Sequence, residues 1–480
     1  MTAVPKVIID RRPMWLILMS RFRPLLFVAA LFAAFFFALQ LDPPSGLNIA
    51  AWRTLCLFGL TVSLWISGIV PLAITSLLCI ALIPLLGILN ASQAYAYFGN
   101  KAVFFILGAF ILGAAIVGCG LSTRMTIIAL RRFGKTPRKL VLTVYLFTAI
   151  ASCLMSEHAV AAMTFPIVWQ ITHALKLRRG HSVYGKSLYF ALAWGCIIGG
   201  TTTILGGARG PLAIGILEEI TKGQYTISFL QYVIYDLPLV ILLMFFGWLI
   251  LRFGYPPEIK SVDVAIEELE TKIHAMGKWS LSERLVLIIM ALTILTWIFA
   301  GEKLGLANIA IISAAAMFMF NLITWKDVEE NVNWGVLLMF GGAITLGGAM
   351  SDTKAALWIT QSIFGDWQGS AQTLMLMLGV VSLVLTEFMS NSAVIAILMP
   401  PALTLAKDYG IDPRLMTMAI VLPSNFAFMM PMATPATAMA YSSGFFTMRE
   451  AMTAGMKFNL AGFVALLFLI YVYWPLFGQM

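Results

Sequence analysis

Two long apolar stretches of this chain are each cut by three polar residues, and the two cuts correspond. The first is Met155-Ser156-Glu157-His158-Ala159, with an apolar continuation to Pro166; the second is Met389-Ser390-Asn391-Ser392-Ala393, continuing to Pro400. At the fixed offset of 234 residues the pairs Met155/Met389, Ser156/Ser390, Ala159/Ala393, Val160/Val394, Ala162/Ala396 and Pro166/Pro400 are identical. Backbone freed by such a cut survives in hydrocarbon only where it is buried in protein or lines a wet cavity. Polar tips at corresponding places in two halves point to a binding site near the bilayer midplane of a transporter.

Composition supports the membrane setting. The chain is 60% hydrophobic and 11% charged, with mean hydropathy +0.92, and its apolar segments of spanning length follow one another, which marks an all-α polytopic membrane protein. The net charge of +9 sits in short loops between apolar segments, so it reads as positive-inside topology and not as nucleic-acid binding. Arg11, Arg12, Arg21 and Arg23 precede an apolar run too long for a cleavable signal; they predict a multi-pass protein of the cytoplasmic membrane with a cytoplasmic N-terminus. Five cysteines stand singly within apolar segments and read as packing residues. No nucleotide fingerprint or catalytic triad is present, so neither an ATP-driven pump nor an enzyme is expected, and no cofactor.

The organisation expected is a cytoplasmic segment over 1–24, a first repeat over 25–251, a cytoplasmic amphipathic linker over 252–283 and a second repeat over 284–480. The first polar cut is flanked on both sides by basic residues (Arg138 and Lys139; Lys176, Arg178 and Arg179). Its arms have about 15 apolar residues, short of the ~20 a spanning helix needs. Both facts favour a re-entrant hairpin over two ordinary spans. The second cut, flanked by Asp366 on one side and by Lys407, Asp408, Asp412 and Arg414 on the other, is not basic on balance and is expected to enter from the other face, as an inverted-topology repeat requires. The count is about eleven spans plus two hairpins.

Each hairpin is followed by a span that breaks. The first break is Gly206-Gly207-Ala208-Arg209-Gly210, the second Ala433-Thr434-Pro435-Ala436-Thr437. Two tips and two broken helices in this order resemble the divalent anion–sodium symporter family, the INDY-type carriers of dicarboxylates, citrate and sulfate, over nearly the whole chain after about residue 50. That family carries Ser-Asn-Thr at each tip and Thr-Pro at each break; here Ser390-Asn391-Ser392 and Thr434-Pro435 keep the second pair, with Thr changed to Ser. The resemblance implies a homodimeric elevator-type transporter in which each tip and its broken helix form a sodium site, and both tips hold substrate carboxylates. Carried over residue by residue, it implies substrate contacts at Ser156, Glu157, His158, Arg209, Ser390, Asn391, Ser392, Thr434, Pro435 and Thr437. Sodium is the coupling ion the resemblance implies, and it would be held by Ser390, Asn391 and Ala433. Helix N-termini after each tip suit an anion.

The first repeat departs from that pattern. Ser156-Glu157-His158 stands where the family has Ser-Asn-Thr, and Arg209 stands in the first break. Ionisable groups at membrane depth are costly and mark function, with a partner nearby. Three readings follow, in order of preference. Arg209 is a fixed charge replacing one sodium, with Glu157 as its ion-pair partner; or Glu157 and His158 titrate and couple transport to protons; or Glu157 strengthens a cation site. The resulting expectation is a secondary carrier of C4-dicarboxylates, keto acids or sulfate. The alternatives are proton-coupled or exchange-only transport without sodium and, in another class, an anion channel. Glu387 reads as a packing group with a local partner ahead of a second proton carrier, and Asp236 beside Pro238 as a solvated residue at the outer surface.

Overall fold

The computed structural model describes residues 14–364, 369–430 and 433–477. Arg11, Arg12 and Asp366, used above to assign sides, lie outside the described residues. The chain runs through α1 (Met14–Ala38), α2 (Ile49–Ser67), α3 (Leu72–Leu85), α4 (Ala91–Phe98), α5 (Lys101–Gly118) and α6 (Leu121–Phe133). The first tip separates α7 (Pro137–Leu154) from α8 (Glu157–Ala174), and the first break separates α9 (Val183–Thr202) from α10 (Arg209–Ile220). Then follow α11 (Phe229–Gly254) and the linker helix α12 (Asp263–Ala275). The second half comprises α13 (Leu281–Leu304), α14 (Leu306–Met319), α15 (Trp325–Asn331), α16 (Trp334–Asp352), α17 (Ala355–Phe364), α18 (Ala371–Phe388), α19 (Asn391–Asp408), α20 (Pro413–Val421), α21 (Pro435–Ser442) and α22 (Met448–Phe468).

The duplication holds in three dimensions. The pairs α3/α14, α7/α18 and α8/α19 begin and end 234 residues apart. Past the hairpins the offset shrinks: α10 opens at Arg209 and α21 at Pro435, so Arg209 stands where the second repeat has its proline. Among the described residues, eight helices are long and apolar enough to cross a membrane. The hairpin arms are 18 residues each, longer than the 15 expected, because α7 begins on Pro137-Arg138-Lys139 before its apolar part.

Two packing groups emerge, and each interleaves both repeats. In one, α3 lies against α16 and α5 against α14. These crossings are related by the duplication and use small residues at related positions. A Cβ on Gly108 would stand 2.7 Å from the Ala310 Cβ, and one on Gly342 would stand 2.4 Å from the Ser76 Cβ. Without apolar driving force between helices in lipid, such backbone approach supplies the van der Waals contact that holds them. Gly342→Val is therefore expected to destabilise the protein by about 1–3 kcal/mol through overpacking. An unchanged thermal unfolding midpoint in detergent would show that this crossing relaxes freely.

The second group holds both hairpins and both broken spans. Here α7 packs on α9, α11 on α9 and α22, and α18 on α20, while the half-helices cross over: α10 lies on α19 and α21 on α8. Each broken span thereby ties its own repeat to the hairpin of the other. Pro238 inside α11 leaves the Ile234 carbonyl without its helical donor. The Tyr473 hydroxyl donates to it at 3.0 Å and Trp474 Nε1 donates to the Tyr235 carbonyl at 3.2 Å, which fastens the chain after α22 to α11. Asp236, two turns inside α11, is completely buried. The expectation of a solvated Asp236 is corrected: the sequence places it near a span start, but it lies on the face of α11 that is buried with Tyr232, Leu239 and Leu243.

In the linker, Ala265 and Leu269 of α12 are buried while its acidic residues face outward. Arg124 is also buried. It pairs with Glu283 at 2.6 Å and donates to the carbonyls of Met276 and Gly277 at 3.0 and 2.8 Å, so it joins α6 to the end of the linker.

Candidate functional site

At the first tip the backbone is extended through Met155, and Ser156 caps α8, its Oγ accepting from the Ala159 N–H at 3.3 Å. The Glu157 N–H donates to the Gly206 carbonyl at 2.9 Å, and Thr203 Oγ1 donates to the Cys153 carbonyl at 2.7 Å. Tip and break are thus one unit. Within it the Glu157 carboxylate accepts both arms of the Arg209 guanidinium, at 3.1 and 3.0 Å, with the two side chains 1% and 5% exposed. The pair expected from sequence is present. Parallel bonds of this kind hold orientation as well as charge.

The glycines flanking the break make room for it. A Cβ on Gly200 would stand 2.8 Å from Glu157 Oε2, and one on Gly207 would stand 2.9 Å from Arg209 Cζ. Arg209 also opens α10, where the helix dipole disfavours a cation; the Glu157 carboxylate offsets that as well as the desolvation. His158 points elsewhere. Its Nδ1 is 3.8 Å from Glu157 Oε1, too far for a hydrogen bond, and its side chain is 40% exposed. With Ser156, Phe110, Val117, Ala208 and Trp334 it lines a cavity of about 550 Å³ between α5, α8 and the start of α16. Among the described residues lining that cavity, none belongs to the second tip.

The second tip is built from neutral oxygens. Ser390 begins α19 without using its side chain as a cap. The single proton of the Thr386 hydroxyl is shared between Asn391 Oδ1, at 2.8 Å, and the Ser424 carbonyl, at 2.5 Å. Asn391 and Ser392 are buried. Thr434 and Thr437 form a reciprocal capping box around Pro435 at the start of α21, and Ala433 donates its N–H to the Met430 carbonyl at 3.1 Å. Hydroxyl, amide and carbonyl oxygens without a net charge suit a weakly held hard cation such as sodium. Among the described residues no cluster of three His, Cys, Asp or Glu side chains is formed.

Two features of this region were not singled out from sequence. Thr386 lies four residues before Ser390, as Ser152 lies four before Ser156, a repeat signal that was readable. Asn425 was not readable: its Nδ2 donates to the Ile197 carbonyl at 2.8 Å and to the Thr201 hydroxyl, which joins the broken spans of the two repeats. Glu387 is a packing group with partners, in keeping with its preferred reading. It accepts from the backbone N–H groups of Phe428, Met429 and Met430 at 3.2, 3.1 and 2.9 Å and from Asn459 Nδ2 at 2.6 Å.

Residues 22–480 match the family described as the sodium:sulfate symporter transmembrane region. The chain is 27% identical over 444 residues to a sodium-dependent dicarboxylate transporter of Staphylococcus saprophyticus, covering 86% of this chain and 84% of that one. It is 28% identical over 454 residues to the Staphylococcus aureus protein of the same description, covering 88% and 87%. Two solved structures share the fold with a TM-score of 0.56 each: the Alcanivorax borkumensis YdaH transporter, at 15% identity over 81% of this chain and 88% of that one, and Neisseria gonorrhoeae MtrF, at 12% over 96% and 95%.

Proposed function

From the premise that the chain belongs to the sodium:sulfate symporter family, we propose that it is a sodium-coupled carrier of small divalent anions in which an internal ion pair has taken the place of one of two coupling cations. The class is a multi-pass membrane transporter and not an enzyme. The observation that carries the finer reading is the asymmetry of the two tips. Asn391 and Pro435 in the second repeat correspond to Glu157 and Arg209 in the first, and these are locked to each other with both side chains buried. A cation has no role beside Glu157 while the guanidinium occupies both carboxylate oxygens.

The pair is neutral as a unit, so the first tip offers a substrate oxygen a helix N-terminus, the Ser156 hydroxyl and His158 without added net charge. Net positive charge comes with sodium at Ser390, Asn391 and Ala433, and the anion bridges the two tips, with Ser392, Thr434 and Thr437 on the second side. C4-dicarboxylates are the first substrate class, because the staphylococcal relatives are described as dicarboxylate transporters; sulfate follows from the description of the family, and keto acids complete the class.

Movement follows the elevator scheme. The group holding both hairpins slides as a body against the group built on α3, α5, α14 and α16, which forms the scaffold and the contact between two subunits. The hairpins enter from opposite faces, the N-terminus is cytoplasmic, and the repeats divide at the linker over 252–283.

Uptake of labelled succinate and sulfate into liposomes tests this reading, with an inward sodium gradient, with a proton gradient, and with only substrate preloaded. Sodium-driven uptake with a non-cooperative sodium dependence is expected, since one cation site remains. Cooperative dependence would remove the ion-pair substitution. Uptake requiring only preloaded substrate would replace symport by exchange, and transport of neither anion would remove the substrate class.

A further inference from the structure

Where α9 begins, α11 ends and α22 begins, the three helices leave a polar cavity of about 370 Å³. Lys186, Arg449 and Lys457 line it, with Glu450 as the one carboxylate among the lining residues. That carboxylate is already committed. Its Oε1 accepts from Lys186 Nζ at 2.5 Å and its Oε2 from the Thr447 N–H at 2.9 Å. Glu258 of the linker, at the edge of the cavity, is likewise engaged by the Ser182 hydroxyl and by the Val183 N–H at 3.0 Å. Arg449 and Lys457 are exposed, and among the described residues neither has an ion-pair partner.

Positive-inside topology accounts for cations scattered through loops, but not for this arrangement. Arg449, Thr453 and Lys457 follow one another at four-residue spacing along α22 and so share a face. Lys457 lies ~12 Å beyond Arg449 at 1.5 Å per residue, on the way into the bilayer. Like charges gathered on one cavity repel each other unless an anion joins them.

We propose that this cavity is a binding site for a phosphate group, and that the phosphate is carried by an anionic phospholipid of the cytoplasmic leaflet, the side resting on the topology given above. The Arg449 guanidinium offers phosphate oxygens a planar fork of N–H donors, and the Lys457 ammonium a mobile point charge. Basic pockets between spanning helices on the cytoplasmic side suit acidic headgroups in this way. The depth of Lys457 favours a lipid over a free ion. A lysine there keeps its stem in hydrocarbon and sends its charge up to the headgroups. Deeper on the same face of α22, Leu460 and Val464 are 64% and 50% exposed. Ile250 and Ala454 line the cavity itself, so an acyl chain has an apolar path from the cations into the bilayer.

Native mass spectrometry of the detergent-purified protein, titrated with phosphatidylglycerol or with phosphatidylcholine, reads the site. One phosphatidylglycerol is expected to be retained at concentrations where phosphatidylcholine is not. A basic residue at a lipid surface is worth roughly fivefold in affinity, so Arg449→Gln with Lys457→Gln should weaken that binding by about 30-fold. Lys278→Gln with Arg284→Gln removes two exposed cations of the linker region that do not line the cavity, and should leave it unchanged. Thr453→Asp keeps both cations and sets a carboxylate between them, so it too should release the lipid; it decides the matter should the first pair of substitutions prevent folding. Inorganic phosphate at the concentration of the lipid is expected not to compete. Equal retention of the two lipids, or an equal loss on removing Lys278 and Arg284, would reduce the cavity to a general basic surface and overturn the proposal. Binding that survives both Thr453→Asp and the Arg449 and Lys457 substitutions overturns it as well. Competition by inorganic phosphate would assign the cations to a soluble anion and overturn the lipid source.

Discussion

Arg209→Ala is expected to abolish anion uptake and to destabilise the protein by about 3–5 kcal/mol, because it leaves the Glu157 carboxylate buried and uncompensated. The two effects separate in variants that keep the site neutral. Glu157→Gln with Arg209→Gln removes both charges, so stability should return to within about 1–2 kcal/mol of the parent. If the guanidinium serves only to neutralise Glu157, transport returns with stability. If it fixes the tip for substrate, uptake stays down by ~100-fold, the equivalent of about 3 kcal/mol.

A more demanding variant gives the first repeat the chemistry of the second. Glu157→Asn, Ala208→Thr and Arg209→Pro reproduce Asn391, Thr434 and Pro435, and the first position of α10 accepts a proline because its N–H is an orphan in any case. Sodium dependence should then become cooperative, as two cation sites require. A dependence that stays hyperbolic in an active, folded triple variant would show that the ion pair does not stand in for a cation.

The second large effect is expected at Glu387. Its carboxylate gathers three backbone N–H groups of residues 428–430 and the Asn459 amide, and in doing so it holds the second broken span open beside the tip. Glu387→Ala strands those donors in a buried place. At about 1–3 kcal/mol for each unsatisfied group, the four donors put the loss at roughly 4 kcal/mol or more. The damage should fall where the donors lie: hydrogen exchange should accelerate first at Phe428, Met429 and Met430, and sodium affinity should drop before succinate affinity measured at saturating sodium. Glu387→Gln keeps an acceptor of the same shape and is expected to retain most of the stability. If Glu387→Gln were as damaging as Glu387→Ala, the charge itself would be required, and the reading of Glu387 as a proton carrier would regain its place.

Much of the architecture was legible because duplication is a sequence property. The offset that aligns Met155 with Met389 also aligns the ends of α7 with α18 and of α8 with α19. Both tips, both breaks and the Glu157–Arg209 pairing could be read from residues whose cost at membrane depth has few explanations. Part of the glycine pattern was legible in kind, though not in purpose: that Gly200 and Gly207 leave space for a carboxylate and a guanidinium depends on side chains arriving from other segments. Three decisions belong to the tertiary structure alone. Glu387 is satisfied by backbone N–H groups some forty residues away, and main-chain donors carry no residue signature. Arg124 reads as one more basic loop residue until the linker carbonyls fold over it. Asp236 reads as a polar residue near a span entrance, and its burial depends on which face of α11 the other helices cover. Periodicity and polar cuts fix which segments enter the membrane and where they break, because transfer free energy is local to a segment. Whether a charge is solvated, paired or stranded depends on which distant surfaces meet it, and that is settled only when the helices pack.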